Sequence, residues 1–180
     1  MSDLLKKLIK GNQKAQSEFY DCHSSMVMGV CMRYMKDYDL AADVFQDAFM
    51  KIFKNIGQVK EEKALVGWIR RVAVNTALDH LKTMRYDESV ETVGHELSDG
   101  FYSDLLDRLS NEVVLDAIAK LPDGYRVIFN MNVIDGYSHK EIANQLQISE
   151  GTSRSQLANA KKALRKLLNE LGITKYEQVI

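Results

Sequence analysis

One stretch of the chain combines residue types that could bind DNA. Residues 151–168, GTSRSQLANAKKALRKLL, carry five basic side chains and no acid, although the whole chain has a formal net charge of −1. Arginine can bridge two acceptors of guanine, glutamine can pair with adenine, and lysines suit phosphates. The candidates for DNA contact are Thr152, Ser153, Arg154, Ser155, Gln156, Asn159, Lys161 and Lys162, followed by Arg165 and Lys166. The alternative is a solvated helix surface whose basic residues complement the helix dipole.

Covalent chemistry has no comparable candidate. The sequence contains no phosphate-binding loop and no plausible nucleophile paired with a base. Its histidines are scattered without metal-ligand spacing; they are His23, His80, His95 and His139. Cys22 and Cys31 are nine residues apart, which favours two buried reduced thiols over a metal or redox site. We therefore expect no enzyme activity, no metal and no cofactor.

The residues before the basic stretch predict a helix-turn-helix. Ser138 and Glu141 have the spacing of a capping box at the start of a short helix. Ser149 suits the N-cap of the next helix, and only the residues QIS separate the two helices. In such a motif the first residues of the second helix reach base edges, while later basic residues lie along phosphates. This context favours DNA binding by the basic stretch.

Further helices are predicted on both sides of this motif. NEVVLDAIAKL ends at Pro122, and DGYRVIFNMNVI ends at the turn dipeptide Asp135-Gly136. In the N-terminal half, a short helix precedes three longer ones. Asp39 is a plausible N-cap for the second of these longer helices, which is the third helix along the chain. That third helix has an apolar stripe comprising Ala41, Val44, Phe45, Ala48, Ile52 and Phe53. Its opposite face presents Asp43, Gln46, Asp47 and Met50.

Composition and charge divide the chain into two folded parts. The 180 residues are 46% hydrophobic and 27% charged, as in folded proteins, and the single proline and few strand patterns favour an all-α fold. Residues 85–110 carry a net charge of −5 and lack sustained helical periodicity before Phe101. We predict small helical domains at 1–85 and 109–180, joined by an acidic linker at 86–108. Without a leader pattern or a long apolar run, the expected location is the cytoplasm, with no membrane insertion.

The order of three motifs resembles one family. AADVFQDAFMKIFKNI, then GWIRRVAVNTALDHLK, then LPDGYRVIF through ISEGTSRSQLANAKKALRKLL resemble the extracytoplasmic-function (ECF, group IV) sigma factors of bacterial RNA polymerase, over about residues 15–170. The resemblance implies a sigma-2 domain and a sigma-4 domain. It also implies an alternative sigma factor that binds core polymerase, through the β′ clamp helices and the β flap, and directs initiation at promoter DNA. An anti-sigma factor is a further potential partner.

The resemblance assigns roles to matching residues. Asp43, Gln46, Asp47 and Met50 would face the β′ clamp coiled coil; without the family they would be interpreted as a solvated face. Arg71 would contact a phosphate of the −10 element and Asn75 an unpaired base edge, after a base-capturing loop at about 58–65. Trp68 is more consistent with a core anchor than with a stacking platform. The basic helix would read the −35 element.

Three positions depart from the family pattern. Gln156 and Asn159 stand where many members carry arginine, which predicts an altered promoter preference. Gln147 replaces a common glycine, and a left-handed conformation there is possible at modest cost. The competing hypotheses are a free-standing helix-turn-helix regulator, which would bind duplex DNA alone, and a sigma-sequestering interaction protein.

Overall fold

The protein folds into helices that form two compact units. A computed structural model describes residues 3–35, 37–87 and 112–170, apart from the side chains of 84–87 and 112–115. The units are Met1–Phe101 and Tyr102–Ile180. The described residues contain helices and turns and no strand, as the all-α prediction requires. Most of the predicted linker lies outside the described residues.

The first unit is a bundle of three long helices with a short helix packed against it. The bounds are α1 Asp3–Ile9, α2 Gln13–Tyr34, α3 Tyr38–Asn55 and α4 Leu65–Asp87. Helices α2, α3 and α4 all contact one another, and α1 lies against α2. Phe19, Val27 and Val30 of α2 are buried, and so are Ile52 of α3 and Ile69 of α4. This bundle is the predicted N-terminal core.

Local polar contacts set where these helices begin. Gly11 adopts a φ of +71° between α1 and α2, and the side chain of Asn12 accepts a hydrogen bond from the Ala15 amide at 3.0 Å. The N-cap predicted for α3 was wrong by two residues. Asp37 caps this helix, since its carboxylate accepts from the amides of Asp39 (2.8 Å) and Leu40 (3.2 Å). Asp39 instead lies in the first turn.

The cysteine prediction holds for one of the two thiols. Cys31 is buried on α2, and burial raises the pKa of its thiol to about 12, which keeps it protonated and inert. Cys22 is exposed, because it points away from the bundle on the outer side of the same helix. Its predicted burial was wrong.

The second unit packs three short helices against one long helix. The bounds are α5 Glu112–Ala119, α6 Asp123–Phe129, α7 His139–Leu146 and α8 Glu150–Glu170. Helix α6 continues into a π-helical turn at Asn130–Ile134, and Gly136, with a φ of +76°, turns the chain as predicted. The buried side of α8 provides the packing surface for α5, α6 and α7. It comprises Ser153, Leu157, Ala160, Leu164 and Leu168.

Candidate functional site

The polar face predicted on α3 is exposed. Asp43, Gln46 and Asp47 all face solvent, and Met50 is 72% exposed, which is unusual for so large an apolar side chain. The opposite side of α3 is buried in the bundle, so this polar strip has no role in the core. The side chains of Asp47, Met50, Lys51, Phe53 and Lys54 line a shallow surface groove at its C-terminal half.

Two cross-helix contacts tie this face to α4. The carboxylate Oδ2 of Asp47 lies 2.7 Å from Nε2 of His80, and Nζ of Lys51 lies 3.4 Å from Oδ2 of Asp79. Asp47 and His80 are 57% and 31% exposed, so the pair lies at the surface. These contacts fix the polar face of α3 against the last turns of α4. The sequence offered no signal for them, since their partners are about thirty residues apart.

The outward side of α4 carries the predicted promoter-contacting residues. Arg71 and Asn75 are both exposed and lie one turn apart, whereas Thr76 is buried and its hydroxyl donates to the Val72 carbonyl at 2.8 Å. Trp68 is half-buried, which is consistent with its predicted anchoring role. The structure therefore gives Arg71 and Asn75 a common, accessible side.

The loop before α4 is anchored at both ends. Val59 and Leu65 are buried at 4% and 5% exposure, and residues 60–64 between them are exposed. A short 3-10 turn, Glu62–Ala64, leads directly into α4. Lys63 pairs with Glu61 at 3.2 Å. This arrangement holds a charged loop at the surface beside the start of α4.

The helix-turn-helix forms as predicted. Glu141 Oε2 accepts from the Ser138 amide at 2.8 Å, and Ser138 Oγ accepts from the Glu141 amide at 3.3 Å, which completes the capping box. Ser149 caps α8, because its Oγ accepts from the Thr152 amide at 2.9 Å. Gln147 adopts the left-handed conformation with φ 55° and ψ 45°. Its side-chain amide donates to the Asn144 carbonyl at 2.7 Å, which supports a conformation that glycine adopts more readily.

Most of the basic residues of α8 lie on one accessible face. The exposed side chains are Arg154, Ser155, Asn159, Lys162, Arg165 and Lys166, whereas Thr152, Gln156 and Lys161 are half-buried. The Gln156 side chain lies over α6, where its Oε1 would be 3.4 Å from a Cβ placed on Gly124. Arg154 Nη2 pairs with Glu150 Oε2 at 3.0 Å. Glu150, the acid that pairs with Arg154, is thus the residue directly before the acid-free stretch 151–168.

Ser153 corrects the predicted set of DNA contacts. Its side chain is fully buried, with 0% exposure, and its Oγ lies 2.9 Å from Nδ1 of His139. The spacing of Ser153 to Leu157 and Ala160 is that of the apolar stripe, and this signal was available in the sequence. A residue on the buried side of α8 cannot reach a base edge, so Ser153 is removed from that set.

Two family models match the two helical units. The family described as Sigma-70 region 2 matches residues 19–85, which include the polar face of α3 and the exposed side of α4. The family described as Sigma-70, region 4 matches residues 111–164, which include the helix-turn-helix. This chain belongs to the sigma-70 family, as an ECF-type factor. The sigma factor binds core RNA polymerase and promoter DNA and directs transcription initiation.

Curated relatives cover nearly the whole sigma factor. The ECF RNA polymerase sigma factor SigW of Bacillus subtilis is 28% identical over 180 residues, covering 93% of this chain and 96% of SigW. The RNA polymerase sigma-H factor of Pseudomonas aeruginosa is also 28% identical, over 181 residues and 93% of each chain. The ECF sigma-E factor of Escherichia coli is 28% identical over 89% of this chain and 90% of its own.

Two solved structures have a similar fold. RpoE of Bartonella quintana, in a complex with the anti-sigma factor NepR, has a TM-score of 0.54 at 18% identity, covering 85% of this chain and 96% of RpoE. CnrH, in a complex with the cytosolic domain of CnrY, has a TM-score of 0.51 at 20% identity, covering 93% and 96%. These likenesses support the fold. In the described part of the chain, no helix is long and apolar enough to cross a membrane.

Proposed function

We propose that the polar face of α3 is the surface by which this sigma factor docks on the β′ clamp helices of core polymerase. Its members are Asp43, Gln46, Asp47 and Met50, all exposed and opposite the buried stripe. Carboxylates and an amide suit arginines of a helical partner, because charge-assisted hydrogen bonds are stronger than neutral ones. The exposed Met50 beside the groove adds an apolar contact. The observation that carries this proposal is the cluster of these four side chains on one accessible face.

A paired alanine substitution tests this interface. Asp43→Ala with Gln46→Ala should weaken core binding and leave helical content and thermal unfolding unchanged, since both side chains are exposed. The control is Asp21→Ala with Gln13→Ala, which removes one acid and one amide from the exposed side of α2. Fluorescence titration of labelled factor with core polymerase measures both. Equal affinities for the two variants would exclude α3 as the docking face.

We propose that Arg71 and Asn75 contact the −10 element as its strands separate. Arg71 would bind a phosphate and Asn75 an unpaired base edge, with the anchored loop at 58–65 beside them for an extruded base. Arg71→Ala should then lower initiation by a similar factor on all −10 sequences. Asn75→Ala should change the ranking among −10 substitutions. Identical rankings for the wild type and the Asn75 variant would remove Asn75 from base recognition.

We propose that the accessible face of α8 reads the −35 duplex. The contributing residues are Thr152, Arg154, Ser155, Gln156, Asn159, Lys161 and Lys162. Arg154→Ala should impair use of a −35 element by about 1–3 kcal/mol if the arginine bridges a guanine. Lys162 would contact a phosphate, so Lys162→Ala should weaken binding to all promoters uniformly and reduce the salt dependence of binding. An Arg154→Ala effect of equal size on promoters without that element would contradict the assignment.

The remaining parts of the proposal concern organisation and partners. Residues 1–85 would form the sigma-2 domain and 109–180 the sigma-4 domain, the latter also touching the β flap. The factor would act in the cytoplasm without catalysing covalent chemistry, because nucleotide addition belongs to the polymerase. The complex of the similar sigma factor RpoE with the anti-sigma factor NepR supports binding of an anti-sigma factor by this chain as well.

Run-off transcription with purified core polymerase tests the function as a whole. Initiation should start at defined promoters only when both core and this factor are present. A free-standing regulator would instead bind duplex promoter DNA tightly without core. A sequestering protein would lower initiation by another sigma factor and start none itself. Promoter-specific initiation that requires both core and this factor therefore supports the sigma role and excludes both alternatives.

A further inference from the structure

One side-chain hydrogen bond joins the first turns of the two helices in the helix-turn-helix. It links Nδ1 of His139, the first residue of α7, to Oγ of Ser153 in α8, at 2.9 Å. His139 is half-buried, whereas Ser153 is completely buried on the core side of α8. The hydroxyl therefore has no access to DNA, and its hydrogen-bond partner lies fourteen residues earlier in the chain.

Ser153 is an exception within the packing stripe of α8. The other buried positions of that stripe are three leucines and one alanine, which contribute apolar surface without requiring a hydrogen bond. A buried hydroxyl is destabilising unless a partner satisfies it. His139 supplies a partner, so the hydrogen bond makes the packing of α8 against α7 depend on one particular pair of atoms.

Both ends of this bond are firmly held. On the α7 side, the capping box of Ser138 and Glu141 fixes the backbone next to His139. On the α8 side, Ser149 caps the helix start, and the Ser153 amide donates to the Ser149 carbonyl at 3.0 Å. The covalent connection is the tight turn through the left-handed Gln147. The turn joins the helices at one end, and the His139–Ser153 bond joins them at a second point.

We propose that His139 and Ser153 are positioning residues that set the angle at which α8 meets promoter DNA. Helices α7 and α8 also pack through buried apolar side chains. The hydrogen bond between two specific atoms selects one crossing among those that this packing allows. Thr152 and Arg154 flank Ser153 directly, so a change in this crossing moves the side chains proposed to reach base edges. The inference rests on the −35 function proposed for α8. It adds that two residues away from the DNA-facing side of α8 help to determine which −35 sequences are preferred.

Single and double substitutions test the pair. His139→Leu leaves the Ser153 hydroxyl buried without its partner, so it should lower discrimination between the best and the mismatched −35 elements by about tenfold. Ser153→Ala should have a smaller effect, because the half-buried imidazole can bind water. The double variant, with both polar groups removed, should recover most of the discrimination. His139→Asn, which keeps a hydrogen-bonding atom at the δ position, should recover it as well.

The measurement is run-off transcription by saturated holoenzyme over a panel of single-base −35 substitutions. The second unit is also proposed to touch the β flap, so saturating factor is used to keep the occupancy of core equal among the variants. A purely structural role would instead lower initiation at all promoters by the same factor and leave their ranking intact. That result would overturn the inference. Additive effects in the double variant would overturn it too. Wild-type holoenzyme without promoter-specific initiation would refute the function proposed for α8, and the inference with it.

Discussion

Arg154 forms an ion pair within its own helix. Because this pair competes with DNA for the guanidinium, we predict that it weakens promoter binding. The guanidinium Nη2 lies 3.0 Å from Oε2 of Glu150, one turn earlier. To contact a phosphate or a guanine, Arg154 must exchange that carboxylate for DNA. Replacing Glu150 by glutamine keeps the side-chain shape and removes the competing charge. We therefore expect Glu150→Gln to strengthen promoter binding.

The size of this gain follows from the exposure of the pair. The side chains are 64% and 45% exposed, so solvent screens their attraction. Exposed ion pairs contribute about 0.2–1 kcal/mol, which corresponds to a gain in affinity of about 1.4- to 5-fold. The gain should shrink at high salt, because ions screen both the internal pair and the phosphate contact. Glu150 also lies in the first turn of α8, where an acid stabilises the helix dipole, so thermal stability should fall slightly.

Fluorescence anisotropy of holoenzyme on a labelled promoter fragment, at low and high salt, measures this effect. Asp116→Asn is the matched control, since Asp116 forms an exposed ion pair with Lys120 at 2.7 Å and neither residue belongs to the proposed DNA face. On an Arg154→Ala background, Glu150→Gln should lose most of its benefit. Unchanged or weaker binding by Glu150→Gln at low salt, with α8 still folded, would refute the competition between Glu150 and DNA for Arg154.

Three further predictions concern stability. His23 packs edge-on against Phe19 with ring centroids 4.6 Å apart, and burial lowers the pKa of its imidazole. Because the unfolded chain binds this proton more readily, the free energy of unfolding should fall as the pH drops below about 6.5. The fall should be smaller in His23→Gln. Ile52→Ala should cost about 2–5 kcal/mol in urea unfolding, since Ile52 is fully buried between α3 and its neighbours; a loss under 1 kcal/mol would contradict that packing. Gly124→Ala should stabilise the chain by about 0.4–1 kcal/mol, because the added Cβ meets only the movable end of Gln156 at 3.4 Å; a lower melting temperature would show that Gln156 cannot yield.

The helices and their ends were predictable wherever the determinant is local. The capping box at Ser138, the cap at Ser149 and the turn at Gly136 all depend on residues within a few positions of one another, and the structure contains all three. The α3 cap was misplaced because Asp37 and Asp39 are equally good capping residues. The choice between them depends on where the helix starts, which packing decides.

The exposure of each candidate residue was likewise predictable only where a local pattern determines it. Periodicity correctly placed Asp43 and Gln46 outside the core, because one face of α3 is strongly apolar. It also contained the signal that Ser153 is buried, but the hydroxyl suggested a DNA contact instead. Cys22 and Cys31 could not be separated by type or spacing, since only the bundle distinguishes the outer side of α2 from the inner side.

The sequence by itself determined the two helical units, the helix-turn-helix and the family, because these depend on local capping, periodic apolar positions and the order of motifs along the chain. Only the tertiary structure decided which side chains meet across helices. Asp47 with His80 and His139 with Ser153 come from separate helices, and no spacing rule brings them together. Such pairs form only where the fit of many buried side chains brings two helices together, and a polar pair formed there then selects one crossing among those that the packing allows.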